Sequence, residues 1–355
     1  MIIKQLKLLN FRNYSSLDLT LDARPTILIG NNAAGKSNLL EAIYFLATTK
    51  SARADEEIEL IKNGEEVTRV EGNIIDGDLT NLVVTISGGN SSVNLDHDFK
   101  KRALVNGIAR RVVDYVGTFP VVLFSPTDIN MVIGSPALRR WHLDLSLAQV
   151  DSSYKKALTM YEQVLTNRNK VLKRIKEGEG RIDELDYWTN ELLKDGEVVA
   201  SGRSAFLQSL NNFKSPLGIF KFDYQSSLLS QDRLDEYSSR EIAAGVTLIG
   251  PHRDDFTVEL EGRNLAHFGS RGEQRTATLA FKLATLEYMT LTLDKRPVLL
   301  LDDVFSELDS DHRKHVLEIV GRQQTIIATV ELENIPKSFL NSARILRVED
   351  GKIME

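Results

Sequence analysis

The sequence predicts a mixed α/β fold interrupted by a helical insertion, and three observations carry that prediction. An apolar strand pattern near the start runs into a glycine-rich loop, "TILIGNNAAGKSN", and a second apolar strand near the end finishes in two acids, "RPVLLLDD". Between them, from about Arg139 to Leu210, the apolar residues change to a spacing of three and four.

Residues 1–30 alternate in the manner of strands. The loop that follows has the G-x4-G-K-[ST] spacing of a phosphate-binding P-loop, in the strand-loop-helix context that such a loop needs. Gly30 and Gly35 let the backbone fold tightly around Asn31, Asn32, Ala33 and Ala34 so that successive N–H groups face an anion, and the helix begun by "SNLLEAIYFLA" at Ser37 and Asn38 adds its positive end. Lys36 would reach the terminal phosphates, and the Ser37 hydroxyl would sit on Mg²⁺. A nucleoside triphosphate is the ligand this pattern predicts.

Residues 67–113 again read as short strands, with turns at "DGD" and "SGGN". In the helical span, Tyr154, Leu158, Tyr161, Leu165, Leu172 and Ile175 form one stripe, "EGEG" breaks it, and Leu185, Trp188, Leu192, Val199, Phe206 and Leu210 form another. Two arms of roughly 30 residues would reach about 45 Å. The predicted organisation is therefore a head built from 1–138 and 214–355 with a helical arm, 139–213, inserted. Val298–Leu301 is a strand that delivers Asp302 and Asp303 to its C-terminal end, where Asp302 would hold Mg²⁺ and Asp303 would orient an attacking water. Ser270, Gly272 and Gln274 precede a strong helix pattern; "SRGE" reads as a capped helix start and also as a second anion site.

Composition bounds the function. The 355 residues are 42% hydrophobic and 26% charged, an ordinary globular balance, and the absence of cysteine excludes disulfides, thiolate metal sites and thiol catalysis. No apolar run is long enough to span a bilayer and the first residues lack the pattern of a signal peptide, so a cytoplasmic location is expected. The net charge of -6 hides segregated blocks. Lys100, Lys101, Arg102, Arg110, Arg111, Arg139 and Arg140 outnumber the acids between 99 and 140 by five; residues 154–176 are net +6 and 177–197 net -6. Those seven cations are a candidate nucleic-acid surface, and the adjoining +6 and -6 blocks could instead pair with each other. No aromatic stacking platform accompanies the cations, which favours contacts to a duplex backbone.

The segments "NFRNY", "GNNAAGKSNLLEAIY", "FSPTDINMV", "SPALRRWHLD", "GPHRDDF", "SRGEQRT" and "LLLDDVFSELD" occur in the order found in the RecF family, and the sequence resembles that family over nearly its whole length. The resemblance implies a P-loop ABC-type ATPase head related to those of SMC proteins, with ATP and Mg²⁺ as cofactors. It also implies an ATP-dependent homodimer that binds duplex and gapped DNA and, with RecR and RecO, promotes RecA loading in DNA repair, recombination, replication and the SOS response. By position, Gly30 to Ser37 match Walker A, Asp302 and Asp303 Walker B, Ser270, Arg271, Gly272, Glu273 and Gln274 the signature that closes on the partner's nucleotide, and Asp309 the D-loop. The chain departs from other ABC ATPases at Asp303, where glutamate is common, at Ala33, where glycine is frequent, at "FSPTD", which lacks the Q-loop glutamine, and at Thr329 or Val330, where a switch histidine is expected. Slow hydrolysis is the consequence. A transporter subunit, a long-armed SMC protein and a nucleotide-dependent adaptor are the alternatives; membrane fractionation, the short arm and the salt dependence of DNA binding separate them.

Overall fold

A computed structural model describes residues 1–88, 100–306, 308 and 310–354. The chain forms two compact units, one from Met1–Asp128 with Leu279–Glu355 and the other from Ile129–Thr278.

The first unit holds two six-stranded sheets. One is antiparallel, in the order Tyr14–Thr20, Ile2–Phe11, Val67–Asp76, Asp78–Ser87, Lys100–Val105 and Ile108–Arg110. Its alternation puts Val70, Gly72 and Ile74 on the buried face, and Gly77 (φ 77°) closes the predicted "DGD" turn. Of the predicted "SGGN" turn, Gly89 and Asn90 lie outside the described residues. The other sheet runs Lys352–Met354, Arg344–Glu349, Thr26–Ile29, Thr325–Thr329, Val298–Asp302 and Val121–Phe124, parallel except at its first pair. Buried on both faces, its central strands "TIIAT" and "VLLLD" carry unbroken apolar runs, at 326–328 and 298–301. Helix Lys36–Thr48 touches strands of both sheets and is buried nearly all round, through Leu39, Leu40, Ile43, Phe45 and Leu46.

The second unit contains helices Pro136–Ala148, Ser152–Lys176, Leu185–Asn212 and Gln231–Ala244, with a three-stranded antiparallel sheet of Phe220–Gln225, Asp255–Leu260 and Arg263–Asn264. The two long helices, of 25 and 28 residues, form the hairpin. The unit extends beyond 139–213 because buried polar ties draw later segments onto the hairpin. Arg168 donates to Glu241 at 2.7 Å and to the Thr247 hydroxyl at 2.7 Å. Arg203 forks onto Asp144 with two bonds of 2.8 Å and reaches the Pro251 carbonyl at 2.7 Å and Asp254 at 3.2 Å. The "GPHRDDF" segment is thus a structural clasp: Arg203 holds Pro251 and Asp254, while His252 accepts from or donates to Tyr161 at 2.7 Å. The +6 and -6 blocks do not zip together as wholes; Arg174 meets Glu184 at 2.9 Å, whereas Arg168 turns to a third helix.

Candidate functional site

Each glycine of the P-loop has its own cause. A Cβ added at Gly30 would stand 2.2 Å from the Val348 carbonyl oxygen, so the adjoining strand Arg344–Glu349 leaves no room for a side chain. Gly35 takes φ 118°, a left-handed conformation that glycine adopts freely. Ala33 is also left-handed (φ 63°), which costs a residue bearing a Cβ about 1–2 kcal/mol. The helix then starts at Lys36 with no side chain capping its first N–H groups, which leaves them for an anion.

Lys36 Nζ donates to the carbonyls of Gly30 (2.8 Å) and Asn31 (2.9 Å), which holds the ammonium across the loop. Burial pushes its pKa down, against the pull of Asp302 and Asp303. Ser37 Oγ donates to Asp302 Oδ1 at 2.8 Å across 265 positions of sequence. The topology explains that meeting: Thr26–Ile29 and Val298–Asp302 flank the same parallel neighbour, with Ile29 opposite Thr329 and Asp302 opposite Ala328. Both strands therefore end at one edge of the sheet, where ligands of such folds collect. Burial raises the Asp302 pKa, and the Ser37 hydroxyl and the Arg53 guanidinium oppose the rise. Asp303 follows in a left-handed backbone (φ 50°), its N–H bonded to the Ala328 carbonyl at 2.9 Å.

The Ser37 hydroxyl and the Asp302 carboxylate are hard oxygen donors that fit Mg²⁺, an ion that takes few protein ligands and leaves the rest to phosphate and water. Among the described residues no group of three or more His, Cys, Asp or Glu could hold a metal by itself.

Two hairpin turns that the sequence pattern did not single out brace the loop. Asn13 Nδ2 and the Gly351 N–H both donate to the Ala34 carbonyl, at 3.1 and 2.9 Å. The Tyr14 hydroxyl donates to the Gly35 carbonyl at 3.0 Å. A relay continues outward: Asn38 Nδ2 donates to Asn13 Oδ1 (2.9 Å), and Arg53 donates to Asn38 Oδ1 (3.0 Å). Arg12 forks onto the buried Glu41 at 2.8 and 3.0 Å. Arg12, Asn13, Asn38, Arg53, Glu59 and Lys62 line a cleft of about 700 Å³. "NFRNY" supplies Arg12 and Asn13 to the cleft and Tyr14 to the bracing of the loop, but alternation marks it only as a strand end.

The signature residues behave differently. Ser270 and Glu273 form a reciprocal cap, Ser270 N–H to Glu273 Oε2 at 2.7 Å and Glu273 N–H to Ser270 Oγ at 3.2 Å, and the Ser270 N–H together with Arg263 pulls the Glu273 carboxyl down to about 2. At Gly272 a Cβ would meet nothing within 4 Å, so nothing nearby in this chain demands a glycine there. Arg271 is exposed. Gln274 does not fit the expected ligand contact: its amide points inward, donating to the Leu265 carbonyl at 2.8 Å.

The expected DNA cations divide as well. Lys100, Arg102, Arg110 and Arg111 are exposed, whereas the strand alternation turns Lys101 inward, to Glu57 at 2.6 Å and the Thr49 carbonyl at 3.0 Å. Arg139 forks onto Asp255 at 2.6 and 2.8 Å, and Arg140 donates to the Asp254 carbonyl at 2.8 Å. These three side chains are engaged within the fold, unlike the other four. In place of a Q-loop glutamine, Asp128 closes the "SPTD" turn onto the Ser125 N–H (2.7 Å) and meets Lys282 at 3.1 Å. Where a switch histidine is expected, Thr329 is buried and donates to the Glu331 carbonyl at 3.0 Å, and Val330 is exposed. Asp309 lies outside the described residues.

Residues 2–353 match the family described as RecF/RecN/SMC N terminal domain. The "DNA replication and repair protein RecF" of Moorella thermoacetica is 38% identical, covering 99% of this chain and 95% of that protein. The chain belongs to the RecF family. The RecF of Roseiflexus castenholzii is 36% identical over 99% of each. A solved structure of the recombination mediator protein RecF with ATP in the RecFOR pathway superposes with a TM-score of 0.88 and 29% identity, covering 99% of this chain and 96% of that one. An SMC head bound to the C-winged helix domain of ScpA, 17% identical with a TM-score of 0.53 and covering 100% of this chain and 97% of that one, shares the fold. The RecF family thus joins an SMC-type α/β head to the loop and carboxylate described above. No described helix is long and apolar enough to cross a membrane.

Proposed function

We propose that this chain is an ATP-dependent DNA-binding protein of recombinational repair. One copy holds ATP on Gly30 to Asn38, the Ser270-led helix tip of a second copy closes over it, and the resulting dimer binds duplex or gapped DNA. With RecR and RecO it promotes RecA loading. The observation that carries the reading is the 2.8 Å contact between Ser37 and Asp302, which sets a P-loop hydroxyl beside a buried carboxylate at one sheet edge. Mg²⁺ bound there would neutralise charge developing on the phosphates. Lys36 orients the terminal phosphates, and Asp303 orients water, one methylene shorter than a glutamate, so turnover is slow. Support comes from the relatives' RecF names and the ATP-bound RecF structure, and from Gly272, which has open space for a phosphate approaching from outside.

Sedimentation velocity tests the proposal. ATP with Mg²⁺ should convert monomer to dimer, Lys36→Ala and Ser270→Arg should abolish the conversion, and Asp303→Asn should trap the dimer. An unchanged profile with and without ATP overturns it.

A second reading, a nucleotide-dependent adaptor with little DNA contact of its own, gains from the engagement of Lys101, Arg139 and Arg140 within the fold. DNA affinity that does not fall with salt would favour it.

A further inference from the structure

The segment from Arg263 to Gln274 is cross-braced from end to end. Asn264 caps the short helix Leu265–Phe268 by accepting from the Ala266 N–H at 2.9 Å, and Leu265 is fully buried. Arg263 meets Glu273 at 3.0 Å, and the reciprocal cap joins Glu273 to Ser270. The innermost tie is Gln274, 6% exposed, whose amide donates to the carbonyls of Leu265 at 2.8 Å and Gly269 at 3.2 Å. One buried side chain thus fixes the short helix to the first turn of Arg271–Leu293.

What this frame presents is of another kind. Phe268 is 71% exposed and precedes Ser270 by two residues, a separation of at most about 7 Å along an extended chain. The exposed His267 ring stands near it, edge-on at 6.2 Å. Ser270, Arg271 and Gly272 are exposed as well, and among the described residues Arg271 has no carboxylate partner. Glu273, the acid of that turn, is already taken by Arg263 and the Ser270 N–H. An apolar ring and an unpaired cation held side by side on one rigid turn match a protein surface that carries an anion, and a triphosphate seated on a glycine loop makes such a surface.

We propose that Phe268 is the apolar anchor of the contact between two copies of this chain. It packs beside the nucleotide-bearing loop of the second copy as Ser270 and Arg271 meet the phosphates there, and Gln274 is the positioning residue that holds Phe268 and Ser270 in one arrangement. The inference rests on the ATP-closed dimer proposed above and adds to it a residue that no phosphate contact requires. A tip shaped before the copies meet loses little further conformational entropy on closing. Packed aromatic residues carry much of the binding energy of interfaces, and a two-fold interface buries each of them twice.

Sedimentation velocity with ATP and Mg²⁺ tests this, read beside nucleotide binding by the dilute monomer. Phe268→Ala should raise the dimer dissociation constant about tenfold for each anchor, so about a hundredfold in all, with the melting temperature and the monomer's nucleotide affinity unchanged. Phe268→Tyr should dimerise as the wild type does. Gln274→Glu sets a carboxylate against two carbonyls in place of a donating amide. Compared with the wild type at the same pH, its dimerisation should be weak near about pH 8 and recover near about pH 5.5, where the buried carboxyl takes up a proton and donates to the Leu265 carbonyl. Glu273, held down to about 2, keeps its cap at both pH values. If the wild type dimerises and Phe268→Ala matches it, this inference is overturned and the dimer stands; a wild type that stays monomeric overturns both. Gln274→Glu that tracks the wild type at both pH values overturns the positioning role. A loss of DNA affinity in Phe268→Ala with dimerisation intact would give the ring to DNA, and overturns the inference too.

Discussion

At the scale of single residues, interatomic distances decide which substitutions the site tolerates. Gly30→Ala places a methyl 2.2 Å from a backbone carbonyl that cannot swing aside, and we expect it to abolish ATP binding measured by nucleotide fluorescence. Tyr14→Phe keeps the packing and removes only the bond to the Gly35 carbonyl; a rise of roughly two- to tenfold in the dissociation constant is the expected cost of one neutral hydrogen bond. His252 offers a pH test. Burial pushes its pKa down to about 4, and its ring stands 2.7 Å from the Tyr161 hydroxyl and 3.1 Å from the Thr247 carbonyl. Because the folded pKa is depressed, the stability tied to the neutral ring is full above the ordinary histidine value near 6.5 and is lost as pH falls toward 4. The melting-temperature gap between wild type and His252→Gln should therefore narrow from pH 7 to pH 4; a constant gap refutes the assignment.

At the scale of elements, the hairpin separates what periodicity reveals from what it conceals. The apolar stripe through Tyr154 and Tyr161 is buried as predicted, but it continues through Arg168, which an apolar template passes over. Arg168 is paired with Glu241, itself without exposure, and a partner so distant in sequence leaves no local signal. Arg168→Ala strands a buried carboxylate and should cost about 3–5 kcal/mol in chemical denaturation, whereas an apolar pair at both positions should recover most of it. The same limit applies to the cations expected to meet DNA: charge counts group Lys100, Lys101 and Arg102, and only the strand's alternation tells the inward Lys101 from its neighbours. The P-loop and "LLLDD" were legible because their chemistry is local. Their meeting is a product of strand order, and the bracing by Asn13 and Gly351 comes from turns whose sequences carry no phosphate signature.

At the scale of the whole molecule, the α/β class and the nucleotide loop were readable, while the extent of the second unit was not, since it depends on which remote segments Arg168 and Arg203 bind. Reversal of Lys100 with Arg102, or of Arg110 with Arg111, to glutamate should lower DNA affinity and flatten its salt slope by about 0.9 for each phosphate no longer neutralised; equilibrium titrations at several salt concentrations check this. One carbonyl, that of Ala34, is held by two turns, at Asn13 and at Gly351, that lie far apart along the polypeptide. During translation the loop emerges long before the turn at Gly351 does. A nascent product that stops short of Gly351 is therefore expected to grip triphosphate poorly, which would make nucleotide occupancy a built-in check that synthesis has passed that hairpin.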